Sequence, residues 1–455
     1  MRRKLCGILL VRCLLAVAAA LASLVATPAA AIDGELDADD FYPPDGRFGM
    51  VGGGIVADGG LVAPDGMAVA LMRLNGAAVR WRQVPPDFQA ATSCDFTPPL
   101  ATEARYRDGL FDSEGRLVLV GTATFPGLGD AIFVVRYLYP DCTLDTGFDG
   151  DGYVTFDLAE DVTGLKVRTQ TVFVMGLPVE RLVVAGNREL DGTGGDYMDT
   201  IVLRLTGAGA LDTTFDGDGW TSLDFGGESQ LLADFVVDRE RRIVLGANLD
   251  PLSADADWVI GRLLPDGALD PALDGDGWWR VGQTSGAAEQ TGAMAAAANG
   301  DVLFAGTVDT GAERRIFVSR MSASLYTSTF ATAGDLSAVT CAALQGDRKL
   351  VVAGWSNGFE GDIDVFALRV LVPQSGSPSV DPSFGSGAEP DPLTYFSFEA
   401  AHGGTDAAWA VALSAGKPVL FGEANFGDPQ GMFVARLENG YIFADGFESG
   451  STSAW

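Results

Sequence analysis

The sequence predicts an all-β fold, a β-propeller of about seven four-stranded blades, with a pair of β-sandwiches as the alternative. Three observations lead there. The phrase Leu211-Asp-Thr-Thr-Phe-Asp-Gly-Asp-Gly-Trp220 returns at Leu144–Tyr153 and Leu269–Trp278, and a worn copy follows at Val380–Gly387. A return every roughly 60 residues marks units that bury their faces by stacking on their neighbours. Short apolar runs closed by a turn residue recur between these phrases, and no stretch beyond residue 31 has a helical period. The 59 glycines and 21 prolines cluster between the runs, as many short turns require.

Taken in order, the chain opens with Met1-Arg-Arg-Lys4, an apolar run from Ile8 to Val25 and the small-residue end Pro28-Ala-Ala-Ala31. A basic start, an apolar middle and a small-residue end predict a cleavable signal peptide over residues 1–31. The run is interrupted by Arg12 and Ser23, which argues against a retained anchor. The protein is therefore expected to be exported, to the periplasm, the medium or the cell surface. The repeat domain spans 32–440. Residues 441–455 break the rhythm and read either as a sorting tag or as a loosely docked end.

Within the repeats, one set of runs ends in glycine: Arg116–Gly121, Arg181–Gly186, Arg242–Gly246, Asp301–Gly306, Lys349–Gly354 and Pro418–Gly422. A second run follows each, with Arg136, Arg204, Arg262, Arg320, Arg369 or Arg436 near its end, 14 to 18 residues after the glycine. Arg73 in Ala68–Arg73 counts as a seventh. Strands such as Gly152–Phe156 and Trp220–Phe225 follow the Asp-Gly turns, and Leu232–Val237 precedes a glycine strand. That makes four antiparallel strands per repeat. A ring of such sheets leaves only short, protected edges, whereas a sandwich pair gives no reason for the regular return.

The last repeat ends after Arg436 without its fourth strand. Leu36-Asp-Ala-Asp-Asp-Phe41, followed by Asp45-Gly46, looks like the missing piece. The N-terminal segment is expected to complete the last blade and latch the ring. Arg47–Gly52 reads either as the first glycine strand or as the strand after an Asp-Gly turn.

These residues resemble the delta-sixty repeat family of bacterial exported proteins. The pattern is an apolar strand ending in Ala-Gly, an apolar-Arg-Leu strand and an Asp-Gly-Ser-Leu-Asp-Thr-Thr-Phe-Gly phrase. The best match here runs from Gly246 through Arg262 to Pro265-Asp-Gly-Ala-Leu-Asp270, and the resemblance covers roughly residues 36–437. It implies a propeller-like repeat fold and an exported address. It implies no activity and no catalytic residues.

Charge and cysteines narrow the partners. Thirty basic residues against 61 acidic ones leave a net charge of −31. A surface of that sign repels phosphate backbones and anionic lipid, so nucleic acid is excluded, and no stable membrane span is expected after cleavage. A soluble monomer is expected. Of the three cysteines beyond the signal, Cys94 and Cys142 could form a disulfide, with Cys341 left as a buried thiol.

The Asp-Gly-Asp-Gly phrases are the sharpest local feature. Asp-Gly is a hairpin turn signal on steric grounds alone. Asp149 and Asp151, Asp216 and Asp218, and Asp274 and Asp276 also place two carboxylates where both could reach one Ca²⁺. None of the three supplies the further acids and the bidentate Glu of an EF-hand loop. Turn structure is the first reading, and calcium, the one cofactor considered, is the second. The repeated arginines are expected to pair with an Asp of a neighbouring turn.

Catalytic signatures are absent. His402 is the only histidine, which excludes multi-imidazole metal sites, and no Gly-x-Ser-x-Gly elbow occurs. Trp81, Trp220, Trp278, Trp279, Trp355 and Trp409 could stack on sugar rings; Trp279, opposite in face to Trp278, is the one chosen as exposed. The expected function is a binding or surface-interaction module without catalysis, whose partner is a protein or a glycan. The alternatives are a carbohydrate-active enzyme using paired carboxylates and a calcium-stabilised surface protein. An enzyme would gather acids in the central funnel with at least one raised pKa; a module would carry acids only in rim turns.

Overall fold

A computed structural model of the protein describes residues 47–51, 56–74, 78–84, 92–158, 161–190, 197–282, 286–322, 325–331, 337–359, 362–384, 393–396, 405–425 and 430–437. The signal segment, the Leu36–Phe41 phrase, His402 and the tail 441–455 lie outside these residues. Among the described residues no α-helix occurs, and none is long and apolar enough to cross a membrane.

Seven antiparallel sheets form a seven-bladed β-propeller. Blade 1 comprises Val56–Val62, Ala68–Arg73, Val79–Val84 and Ser93–Phe96. Blade 2 comprises Glu103–Phe111, Leu117–Phe125, Gly129–Leu138 and Tyr153–Phe156, with Thr143–Leu144 also on its third strand. Blade 3 runs Val162–Val174, Leu177–Glu189, Met198–Leu205 and Trp220–Leu223; blade 4 runs Gln230–Val237, Ile243–Leu249, Asp257–Leu263 and Trp278–Val281. Blade 5 is Ala288–Ala296, Val302–Asp309, Arg314–Met321 and Leu325–Ala331. Blade 6 is Ser337–Gln345, Lys349–Phe359 and Asp362–Leu371, with Ser379–Val380 and Leu393–Phe396 sharing the outer edge. Blade 7 is Ala407–Ser414, Lys417–Asn425 and Gln430–Arg436, completed by Arg47–Val51 from the start of the chain. The first strands of successive blades adjoin one another around the axis, blade 7 against blade 1 included.

The N-terminal strand closes the ring as expected, through Arg47 opposite Ala435 to Val51 opposite Gly431. Of the two alignments, the structure takes the outer-strand one for Arg47–Val51, which pairs with the third strand of blade 7. The disulfide also forms, between Cys94 on the outer strand of blade 1 and Cys142 after the third strand of blade 2, while Cys341 is a buried free thiol. With a sequence separation of 48, chain entropy assigns this cross-link about 4 kcal/mol.

The repeated glycine has a specific cause. In every blade the innermost strand carries a β-bulge, and in blades 2 to 7 it faces the glycine of the second strand. The bulge drives a carbonyl of the inner strand onto the glycine. A Cβ at Gly121 would lie 2.1 Å from Arg105 O, at Gly186 1.7 Å from Thr163 O, and at Gly354 1.9 Å from Ala338 O. At these three positions a side chain would collide with backbone, so glycine is required there, whereas blade 4 sets Ala247 opposite Leu232 before its bulge. The second and third strands bury both faces between neighbouring blades; Leu117–Ala123 and Thr200–Leu205 are buried throughout. That double burial is why these strands read as continuous apolar runs rather than as alternations.

Blade 1 departs from the pattern. Register places Gln83 where the other blades carry the third-strand arginine, and Met72 where they carry the glycine. Arg73, counted as the seventh repeat arginine, ends the second strand instead. It is released from the structural role of its presumed counterparts.

Candidate functional site

The repeat arginines are hubs of the structure. Arg136 Nε donates to Asp145 Oδ2 at 2.8 Å, Arg204 to Asp212 at 3.0 Å, Arg262 to Asp270 at 2.7 Å and Arg369 to Asp381 at 2.8 Å. Each of these carboxylates, the Asp of the Leu-Asp or Val-Asp phrase, takes a second cation from the start of the glycine strand: Arg116, Arg181, Arg242 and Lys349 respectively. The guanidinium then stacks on the phrase's own aromatic, Phe148, Phe215 or Phe384, 4.6 to 4.9 Å from the ring centre. It also reaches the next blade, Arg136 to Gly207 O and Arg204 to Pro265 O. In blade 5 the acid comes from another turn, with Asp301 bonding Arg320. Burial pulls the Asp212 carboxyl up, and the bonds from Thr214, Arg181 and Arg204 outweigh it, leaving the group below its ordinary range. Asp145 and Asp381 are lowered by the same kind of balance.

The Asp-Gly-Asp-Gly residues are on the rim. Asp149, Asp216 and Asp274 adopt left-handed backbone with φ of 51°, 49° and 52°, each followed by a glycine of positive φ. Asp151, Asp218 and Asp276 each accept the backbone N–H two residues on, from Tyr153, Trp220 and Trp278. The turns also dock on the next blade, Asp149 N to Ala208 O and Asp216 N to Asp266 O. Two carboxylates per turn fall short of the six to eight oxygens that Ca²⁺ takes. Among the described residues no three His, Cys, Asp or Glu side chains gather to hold a metal.

Inside the ring a cavity of about 230 Å³ is lined by the first strands of all seven blades. Its depth holds a satisfied network. Arg168 bridges Asp108 at 2.5 Å and Asp234 at 2.8 Å; Asp108 also accepts Val167 N, and Asp234 also accepts Met294 N. This network braces blades 2 to 5.

The mouth at blades 7, 1 and 2 is different. The residues that the inner-strand bulges leave unpaired are Asp58, Arg107, Leu165, Ala233, Gly292, Thr340 and Trp409, one per blade. Blades 3 to 5 fill this slot with small or apolar residues. Blades 7, 1 and 2 fill it with an indole, a carboxylate and a guanidinium. Among the described tryptophans Trp409 alone is exposed, at 37%, and it lines the cavity with Arg107. It bonds Glu423, on the second strand of blade 7.

Asp58 lies 3.5 Å from Arg73 Nε with its side chain only 6% exposed. Asp58 Oδ2, Arg73 Nε and Arg107 Nε are all buried without a hydrogen-bond partner. Burial pushes the Asp58 carboxyl up to about 7, aided by Glu423 and opposed by Arg73, Arg107 and Arg105. Burial likewise raises Glu423, against Arg73 and the Trp409 bond. Burial and the neighbouring Arg105 bring Arg107 down to about 10. Buried polar groups are as a rule satisfied, so a cluster of orphaned atoms beside an exposed indole marks a place built to meet something else.

Sequence reasoning missed most of this mouth. It weighed Trp409 as a platform but chose Trp279, which is partly buried and packs against the core between blades 4 and 5. Trp278 does face the other way, against Phe225 at 5.9 Å. A usable signal was present: apart from blade 3, with its longer hairpin, the bulge residue lies 13 or 14 residues before the position of the repeat glycine.

No protein-family model matches the sequence, and no curated protein matches it. Solved structures similar in fold include an Aleuria aurantia lectin (12% identity, 74% of this chain and 96% of that one, TM-score 0.35). A polysaccharide lyase named as an ulvan lyase is similar at 10% identity, over 86% and 94% of the two chains, with a TM-score of 0.48. A Trypanosoma rangeli sialidase is similar at 11% identity over 84% and 54%, with a TM-score of 0.37. At these identities the likeness is one of fold alone.

Proposed function

We propose that this protein is an exported member of the delta-sixty repeat proteins that binds a carbohydrate at the channel mouth of blades 7, 1 and 2. The observation that carries the reading is Trp409, exposed at the cavity and bonded to Glu423, next to the under-satisfied Asp58, Arg73 and Arg107. An indole face gives a sugar ring its apolar contact, and convergent charged groups meet its hydroxyls. A cavity of about 230 Å³ suits a single ring or chain end rather than a long polymer. Titration of short oligosaccharides against the protein and Trp409→Ala tests this. Binding should be lost in the variant while the melting temperature is kept; equal binding by both proteins would refute it.

A second reading, catalysis on that carbohydrate, is favoured by one observation. Two acids meet behind the cavity wall that Arg107 and Trp409 form, Asp58 at about 7 and Glu423 raised, rather than only in the Asp-Gly turns. A carboxyl near neutrality can serve as general acid or base. Release of new saccharide ends, lost in Asp58→Asn with binding retained, would support it. No turnover of any bound saccharide would leave the protein a binding module.

A further inference from the structure

We propose that the channel mouth selects a saccharide bearing a single anionic substituent, a carboxylate or a sulfate, held by Arg107 while the ring rests on Trp409, with Arg105 adding positive charge beside Arg107. This rests on the carbohydrate reading and specifies its ligand class. The first argument is charge. In a chain of net charge −31, three guanidiniums, Arg73, Arg105 and Arg107, stand close enough to perturb the same group, Asp58. Against them stand Asp58 and Glu423, with Asp130 further along blade 2. Burying cations beside one another is costly unless an anion joins them.

The second argument is contrast. The hubs Arg136, Arg204, Arg262, Arg320 and Arg369 are each matched to a carboxylate, and in the same channel Arg168 is answered by both Asp108 and Asp234. Arg107, in the equivalent inner strand one blade away, keeps a buried Nε without a partner. A planar fork with an unused N–H is the complement of a carboxylate or sulfate edge.

The third argument is position. Arg107 occupies a bulge, which takes it out of the strand ladder and frees it from packing duty. It shares the cavity wall with Trp409, so one ligand can meet both. The acidic surface beyond the mouth repels polyanions, which restricts the ligand to one charged group per bound unit rather than a densely charged polymer.

The test is calorimetric titration of the full chain, at low and high salt, with galacturonate, neutral galactose and galactose 6-sulfate. Preference for a charged probe over the neutral one by roughly 10- to 100-fold is expected, as a charged hydrogen bond provides. Preference should weaken with salt, and Arg107→Gln should reduce it to the level of the neutral sugar, with Arg107→Lys restoring part of it. Arg105→Gln gives an independent variant should Arg107→Gln unfold. The carboxylate and sulfate probes distinguish the two substituents. Equal affinity for charged and neutral probes would overturn this inference and leave the carbohydrate reading standing. Failure of all three probes to bind would overturn both.

Discussion

Removing the guanidinium of Arg204 should cost about 3 kcal/mol of stability. Arg204 is 2% exposed and joins four groups: Asp212 at 3.0 Å, Gln170 at 3.0 Å, Thr214 at 2.8 Å and Pro265 O of the next blade, with Phe215 beneath it. Arg204→Met keeps much of the stem and deletes those bonds. Stripping one partner from a buried pair costs about 3–5 kcal/mol, because the other charge stays buried. Asp212 retains Arg181 at 2.8 Å, which places the expected loss at the low end. With about 2.1 cal/mol/K per residue over roughly 400 residues, 3 kcal/mol corresponds to a fall of about 3–4 °C in Tm. Calorimetry reads this, and a double-mutant cycle with Asp212→Asn isolates the pair. A loss below about 1 kcal/mol, or no coupling in the cycle, would refute the view of these arginines as blade-to-blade hubs.

Four further outcomes follow from the same structure. Asp58 has a folded pKa of about 7, above the unfolded value near 3.9, so the native state penalises its carboxylate. The penalty is absent below about pH 4, grows up to pH 7 and is complete above it; Asp58→Asn should therefore stabilise the protein by a few kcal/mol at pH 8 relative to its effect at pH 4, and an identical effect at both would contradict this. The hub carboxyls run the other way, since the lowered Asp145, Asp212 and Asp381 lend stability above about pH 4 that is lost as the medium is acidified through their folded values. Gly354→Ala puts a Cβ 1.9 Å from Ala338 O and should cost at least about 1–3 kcal/mol, whereas Gly346→Ala, with nothing within 4 Å, should cost under about 1 kcal/mol. Deleting residues 32–51 removes the strand paired with Gly431–Ala435 and should lower Tm clearly; unchanged melting would refute the latch.

The architecture was legible because its cause is local and repeated. Each glycine strand, arginine strand and Asp-Gly turn carries its own signature, and even the pairing of Arg204 with Asp212 followed from their recurrence. Blade 1 was misread for the same reason. With Met72 and Gln83 at the diagnostic positions, Arg73 was the nearest arginine to count, although it belongs one strand earlier. The ligand site was not legible because it depends on what differs between repeats at the bulge slot. Asp58, Arg107 and Trp409 are 351 residues apart at their extremes and meet only when the ring closes blade 7 on blade 1. Trp279 looked free because its neighbour was assigned to the core, but in a propeller both faces of a blade are packed.

The most direct test of the channel-mouth account is tryptophan fluorescence during titration with galacturonate, compared across the protein, Trp409→Phe and Trp279→Phe. The account predicts a saturable change on binding that survives Trp279→Phe and vanishes in Trp409→Phe. A change that survives Trp409→Phe and vanishes in Trp279→Phe would contradict it and place the ligand on the outer strand of blade 4.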